Sequence, residues 1–253
     1  MIQIDLSGKV ILLTGASRGI GAGIAMLLAK AGATLALQYR HNQIATERIL
    51  QQASEDSRSF QADLSQADQT HQLVKEVENT YGRIDVLINN AGVAFPEEKS
   101  LSDAEWQAVW DRTLQTNLTA SAALSRHAIK QFEKQESGRI IFISSRAAFR
   151  GDTPEYMAYA ASKAGMVALS KSIARGYGKK GITSFVIAPG FTETDMAQDF
   201  IDTYGKEYVL NDLALNELTQ PSDIAPTVLL MASGMMDHAT GCTVDINAGS
   251  YVH

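Results

Sequence analysis

Tyr159 and Lys163 stand four residues apart in the small-residue run Tyr159-Ala-Ala-Ser-Lys-Ala-Gly165. On a helix this spacing places both side chains on one face. An ammonium close to a phenol favours the phenolate and would draw the tyrosine down from its ordinary pKa of about 10, toward the range of a working general acid/base. With 8 tyrosines and 11 lysines in 253 residues, chance supplies such a pair about one time in three, so its meaning has to come from context.

That context begins at the other end of the chain. The apolar run Val10–Leu13 leads directly into Thr14-Gly15-Ala-Ser17-Arg18-Gly19-Ile20-Gly21 and then into an Ala/Leu-rich segment. A glycine leaving a strand permits a turn that a Cβ would obstruct. Glycines at a helix start let the backbone approach a pyrophosphate, where free N–H groups and the positive dipole end favour an anion. The spacing is Gly-x3-Gly-x-Gly rather than Gly-x-Gly-x-x-Gly, and by itself it indicates a nucleotide site and nothing narrower. The second apolar run ends Leu37-Gln38-Tyr39-Arg40, without the acidic residue that would bind a ribose 2′-hydroxyl. Arg18 and Arg40 are instead suited to a 2′-phosphate, so NADP(H) is expected in preference to NAD(H).

The elements that must position these groups follow from periodicity. Val10–Leu13, Thr34–Leu37, Val86–Ile88, Ile140–Ile143 and Ser184–Ile187 lack polar/apolar alternation, as strands covered on both faces by helices should. Helical periodicity occupies about residues 19–31, 42–54, 66–80, 103–134, 155–179 and 222–233. Ser102 with Glu105 has capping-box spacing, and Pro221-Ser222-Asp223 reads as a helix start. Alternating strands and helices predict an α/β fold: a doubly wound, Rossmann-like parallel sheet in three layers. With no Pro/Gly/Ser-rich linker and no repeat, residues 1–253 read as a single domain.

Between these elements further motifs appear in order. Asn89-Asn90-Ala91-Gly92 follows one strand and Asn117 lies within a helix. Ser144-Ser145 and Pro189-Gly190-Phe-Thr192-Glu-Thr194 each follow a later strand. The series resembles the short-chain dehydrogenase/reductase family in its compact form, over nearly the whole chain. Its wording from Pro189 to Met196 is most similar to 3-oxoacyl-(acyl-carrier-protein) reductases. The resemblance implies an oxidoreductase acting on a carbonyl or alcohol, with Tyr159 as acid/base and Ser145 bonded to the same substrate oxygen. Lys163 would lower the tyrosine pKa and hold the nicotinamide ribose, and Asn117 would open its helix and place a water beside Lys163. Asn90, Ala91 and Gly92 would support the adenine side of the site. Asp63 would contact the adenine ring, with Leu64 and Tyr39 nearby. Pro189, Gly190, Thr192 and Thr194 would cover the nicotinamide, Thr194 through its hydroxyl. The resemblance also implies a substrate-covering segment at about 191–216 and a homo-oligomer, dimer or tetramer, built on the helices after Asp103 and Tyr159.

Two departures from the family stand out. The interval from Ser145 to Tyr159 is 14 residues, one longer than in the acyl-carrier reductases. The tail Asn247-Ala248-Gly249 has alanine where relatives often carry a second glycine. One of Arg146 and Arg150, which fall just after Ser145, is expected to meet an anionic group of the substrate.

The remaining features have ordinary readings. The acidic segment from Asp195 to Asp212 reads as an exposed helix pair, with a substrate cover as the alternative. His41, His71, His127, His238 and His253 show no ligand spacing, and no metal site is expected. Cys242, the single cysteine, lies in a β-like run and fits a small buried residue in a reducing compartment. A net charge of −6 argues against nucleic acid. The start Met1 to Lys9 lacks a charged leader before an apolar core, and no apolar run approaches a membrane span, so a soluble cytoplasmic protein is expected. A different class of function, a catalytically silent dinucleotide-binding regulator on the same fold, would require loss of the tyrosine or lysine, and both are present.

Overall fold

The computed structural model describes residues 4–252. Strands and helices alternate from the start: β1 (Val10–Leu13), α1 (Gly19–Lys30), β2 (Thr34–Tyr39), α2 (Gln43–Leu50), β3 (Arg58–Gln61), α3 (Ala67–Tyr81) and β4 (Val86–Asn89). The second half continues with α4 (Asp103–Leu114), α5 (Ala120–Gln135), β5 (Gly138–Ile143), α6 (Ala147–Arg150), α7 (Met157–Tyr177) and β6 (Ile182–Pro189). It closes with α8 (Asp195–Tyr204), α9 (Lys206–Leu210), α10 (Pro221–Ser233) and β7 (Thr243–Ile246). One parallel sheet takes all seven strands in the order β3-β2-β1-β4-β5-β6-β7. The chain reverses its winding between β1 and β4, and the crevice beyond their carboxyl ends is where doubly wound sheets bind ligands.

Apolar strands are covered on both faces, which gives the three layers. Ile11, Leu13 and Ile88 point to the side closed by α1 and α10 through Ile24, Leu28, Val228 and Met231. Leu12, Leu87, Ile140 and Phe142 point to the other, closed by Val74, Leu124, Phe132 and Met166 from α3, α5 and α7. Gly23 sits where a Cβ would come within 2.7 Å of Pro221, so α1 and α10 approach at backbone distance.

Three elements differ from expectation. β3, Arg58-Ser-Phe-Gln61, buries only Phe60 and lies at the sheet edge, so it carries no continuous apolar run to mark it. The single helix expected over 103–134 is divided by a π-turn at Gln115–Thr119, which separates α4 from α5 and opens the helix at Asn117 as the resemblance implies. The helix predicted from 155 starts at Met157, after a 3-10 turn at Pro154–Tyr156. The expected capping box at Ser102 is present, with Glu105 N–H donating to Ser102 Oγ and Ser102 N–H to Glu105 Oε2. Among the described residues no helix is long and apolar enough to cross a membrane.

Candidate active site

The β1–α1 turn is built by side chains as well as glycines. Thr14, buried at the end of β1, accepts N–H bonds from Asn90 (2.9 Å) and Ala91 (3.0 Å) on its Oγ1. Asn90 Nδ2 in turn donates to the carbonyls of Thr14 (2.9 Å) and Gly15 (3.1 Å), so the segment after β4 holds the turn after β1. Gln38 clamps it from β2, accepting Gly15 N–H (2.8 Å) and donating to Ala62 O (2.7 Å). A Cβ on Gly21 would meet Gly15 O at 2.2 Å, and one on Gly19, at φ +54°, would meet Thr194 Cγ2 at 3.0 Å. No side chain caps α1 at Arg18, which leaves its first N–H groups open to an anion. These features suit the pyrophosphate of a dinucleotide cofactor.

At the adenosine end the polar groups satisfy one another. Arg40 Nε donates to Asp63 Oδ2 (2.9 Å), and Asp63 Oδ1 accepts Ser65 N–H (3.0 Å) and Oγ–H (2.8 Å). Burial works against the Asp63 carboxylate, but the Ser65 bonds and the Arg40 charge outweigh it and hold the group below its usual range. Arg18 pairs with Asp195 (2.8 Å) with both side chains exposed, a weak tether between the turn and α8. Tyr39 and Leu64 are buried.

A cleft of about 650 Å³ opens beyond the strand ends. Ile20, Asn90, Gly92, Ser145, Tyr159, Lys163, Pro189, Gly190, Thr192 and Thr194 line it. Gly15, Ser17, Arg18, Gly19, Gly21, Tyr39, Arg40, Asp63, Leu64, Ala91 and Asn117 lie outside its walls. Within the cleft the two serines part company. Ser144 donates to Lys163 O (2.9 Å), whereas Ser145 Oγ accepts Ala147 N–H (3.1 Å) and lies close enough to the Tyr159 phenol to favour its ionised form. The longer interval between Ser145 and Tyr159 is taken up by α6 and the turn at Pro154–Tyr156.

Lys163 Nζ donates to Ile143 O (2.9 Å) and lies 5.6 Å from the centroid of the Tyr159 ring. Burial pushes the Tyr159 phenol up to about 12, against the Ser145 hydroxyl and the Arg146 charge, with Asp152 adding to the rise. Burial also brings Lys163 down to about 8. The expected lowering of Tyr159 by Lys163 is therefore overridden in the protein alone, because desolvation disfavours both charged forms. Asn117, fully buried in the π-turn, accepts Val93 N–H (2.8 Å) and donates to Val93 O and Ser162 Oγ (2.9 Å each). A Cβ on Gly92 would come within 3.2 Å of Lys163 Nζ and 3.5 Å of Asn117 Oδ1, so Gly92 lets these two groups close on the cleft.

Sequence reasoning missed Glu97. Its buried carboxylate accepts Ala158 N–H (2.6 Å) in the first turn of α7 and Trp106 Nε1–H (2.8 Å) from α4. It caps the helix that carries Tyr159 from a loop sixty residues away in the chain, and no local motif records that. Gln38 left a faint signal, a polar residue in an otherwise apolar strand. Residues 191–216 contain α8 and α9, and of their acids Asp212 turns inward to Arg146 and Arg150. The Asp199 side chain and His253 lie outside the described residues. His71 and His127, distant in sequence, meet at 2.8 Å on the surface of α3 and α5. Among the described residues no group of three or more His, Cys, Asp or Glu could hold a metal ion. Cys242 is only half-buried, and burial raises its thiol, which fits an inert residue.

Comparison with known proteins places the chain. The family model for short chain dehydrogenase matches residues 9–205. The 3-oxoacyl-(acyl-carrier-protein) reductase FabG of Staphylococcus aureus (strain Mu50) is 36% identical over 96% of this chain and 98% of its own. The enzyme of the same name from Vibrio harveyi is 32% identical over 98% and 100%. Among solved structures, a putative NAD(P)-dependent gluconate 5-dehydrogenase from Beutenbergia cavernae, with bound NADP, superposes with a TM-score of 0.90 at 26% identity, covering 98% of this chain and 99% of that one. A short-chain type dehydrogenase/reductase from Mycobacterium marinum gives 0.88 at 26%. With its nucleotide turn, its seven-stranded parallel sheet and matches of this extent, the chain belongs to the short-chain dehydrogenase/reductase family of nicotinamide-dependent oxidoreductases.

Proposed function

We propose that this chain interconverts a carbonyl and an alcohol with NADP(H), and that Tyr159 is its acid/base. The observation that carries the reading is that Ser145, Tyr159 and Lys163 line one cleft, with Lys163 Nζ 5.6 Å from the centroid of the Tyr159 ring. When bound, the cofactor supplies a hydride to the substrate carbon. Ser145 donates a hydrogen bond to the carbonyl oxygen and stabilises the charge that grows there. Tyr159 passes its proton to that oxygen, so one hydride and one proton complete the two-electron reduction. Lys163 holds the ribose hydroxyls and favours the tyrosinate left behind, and Asn117 fixes the backbone at Val93 beside it. A phenol pushed up to about 12 is fully protonated at neutral pH, which suits donation in the direction of reduction.

The cofactor preference rests on Arg18, Arg40 and the absence of a carboxylate at the tip of β2. It agrees with the NADP held by the gluconate 5-dehydrogenase homologue. The names of the relatives point to a 3-oxoacyl thioester on one side and an oxidised sugar acid on the other. The test is NADPH oxidation followed by absorbance with a short 3-oxoacyl thioester, simple ketones and ketoses, repeated with NADH. Turnover with NADPH preferred is expected, and Tyr159→Phe should lower kcat by at least about a thousandfold while NADPH still binds. Undiminished activity in that variant overturns the mechanism.

A further inference from the structure

Arg146 follows Ser145 directly, and its N–H is held by Pro189 O at 2.9 Å. The whole residue is only 8% exposed, yet its guanidinium lines the cleft. It stacks 4.6 Å from the centroid of the Phe191 ring and uses one nitrogen, Nη1, to reach Asp212 Oδ2. Among the described residues, Nε and Nη2 have no hydrogen-bond acceptor. Arg150 Nη1 reaches the same Asp212 oxygen at 2.8 Å, so one carboxylate is shared between two guanidinium groups. Asp152 also faces both arginines, but its Oδ1 accepts its neighbour Thr153 N–H (2.9 Å), and no hydrogen bond joins it to either arginine.

A guanidinium removed from water is costly unless its fork of donors meets acceptors. Its natural complement is a planar carboxylate taken by two parallel bonds. Burial draws Arg146 below its usual range, although Asp212 pulls the other way. Asp212 comes from the segment after α9 and lines the same cleft as Ser145 and Tyr159.

We propose that Arg146, supported by Arg150, is the binding site for the carboxylate of a short oxo acid or hydroxy acid, and that Asp212 occupies that site when substrate is absent. The idea rests on the reductase reading above and narrows its substrate. The arginine is the chain neighbour of Ser145, so a carboxylate on it lies within a small molecule's length of a carbonyl held by Ser145 and Tyr159. A thioester or simple ketone brings no anion to the site. A free oxo acid does, and its carboxylate replaces that of Asp212.

The experiment separates this idea from the reaction itself. Short oxo acids from pyruvate to 5-oxohexanoate, each with its methyl ester, are titrated by calorimetry into the full chain saturated with NADP+. At least one acid is expected to bind ten times more tightly than its ester. Arg146→Gln should cut that preference at least tenfold, and Asp212→Asn, which removes the internal competitor, should tighten acid binding at least threefold. Acids and esters bound alike, or acid binding unchanged or weakened in Asp212→Asn, overturn the proposal. The Asp212 variant decides the matter even if Arg146→Gln fails to fold. Neutral ketones reduced by a chain without acid preference would remove the carboxylate site and leave the reductase reading. Selective acid binding without turnover of any carbonyl would do the reverse.

Discussion

Tyr159 and Lys163 are displaced in opposite directions by one cause, removal from water, and this makes the proposed catalytic pair a local burden on the fold. An ammonium brought from 10.5 down to about 8 is destabilising wherever it is still protonated. For a lowered folded-state pKa, the favourable balance is complete above pH 10.5 and is lost as pH falls through 8. Lys163→Met should therefore gain most, relative to the parent protein, near pH 7 and least near pH 10. The two gains should differ by about 2 kcal/mol, read from urea denaturation at both pH values. An equal effect at the two pH values would show that Lys163 is not desolvated as the geometry implies. The pair itself could be read from residue spacing, because i, i+4 on a helix dictates a shared face. Its electrostatics could not, since the dominant influence is burial by β5, α7 and the segment after β4, which no spacing encodes.

At the scale of elements, the site depends on interruptions of regular structure. The π-turn at Gln115–Thr119 swings Asn117 inward to bond both backbone groups of Val93. Asn117→Ala leaves that half-buried pair without its partner and should cost about 1–3 kcal/mol, checked by the urea midpoint. The turn after β7 holds Ala248 at φ +53°, a left-handed conformation that strains any residue with a Cβ. This is the position where relatives often carry glycine. Ala248→Gly should raise stability by about 0.5–1 kcal/mol, visible as a higher Tm. Strands, caps and most helices were legible because each is declared by a local pattern. β3 was not, since an edge strand with one buried residue has no apolar run; the opening at Asn117 was implied by the family resemblance and not by periodicity, since a single extra residue barely alters a helical period.

The whole molecule presents a face that its own fold leaves thinly covered. α4 buries only Thr113 outright, while Trp106 and Trp110, with ring centroids 5.4 Å apart, remain half-exposed beside Leu114. We expect this helix and α5 to meet a second copy of the chain in a dimer or tetramer. Light scattering should return a multiple of the chain mass, and Trp110→Glu should shift the protein toward the monomer. A monomeric parent protein would reassign those tryptophans to the surface.

The amino-acid sequence by itself determined the order of strands and helices, the glycine turn for a dinucleotide, and the short-chain dehydrogenase/reductase series from Thr14 to Thr194. All of these rest on neighbours within a few residues, where steric and periodic rules act. Tertiary structure alone decided that Glu97 caps α7, that Gln38 clamps the turn, and that Asp212 returns to Arg146. Each joins residues whose positions along the chain carry no information about each other. Only the closing of the sheet between its two helical layers brings their charges and hydrogen-bonding groups within reach.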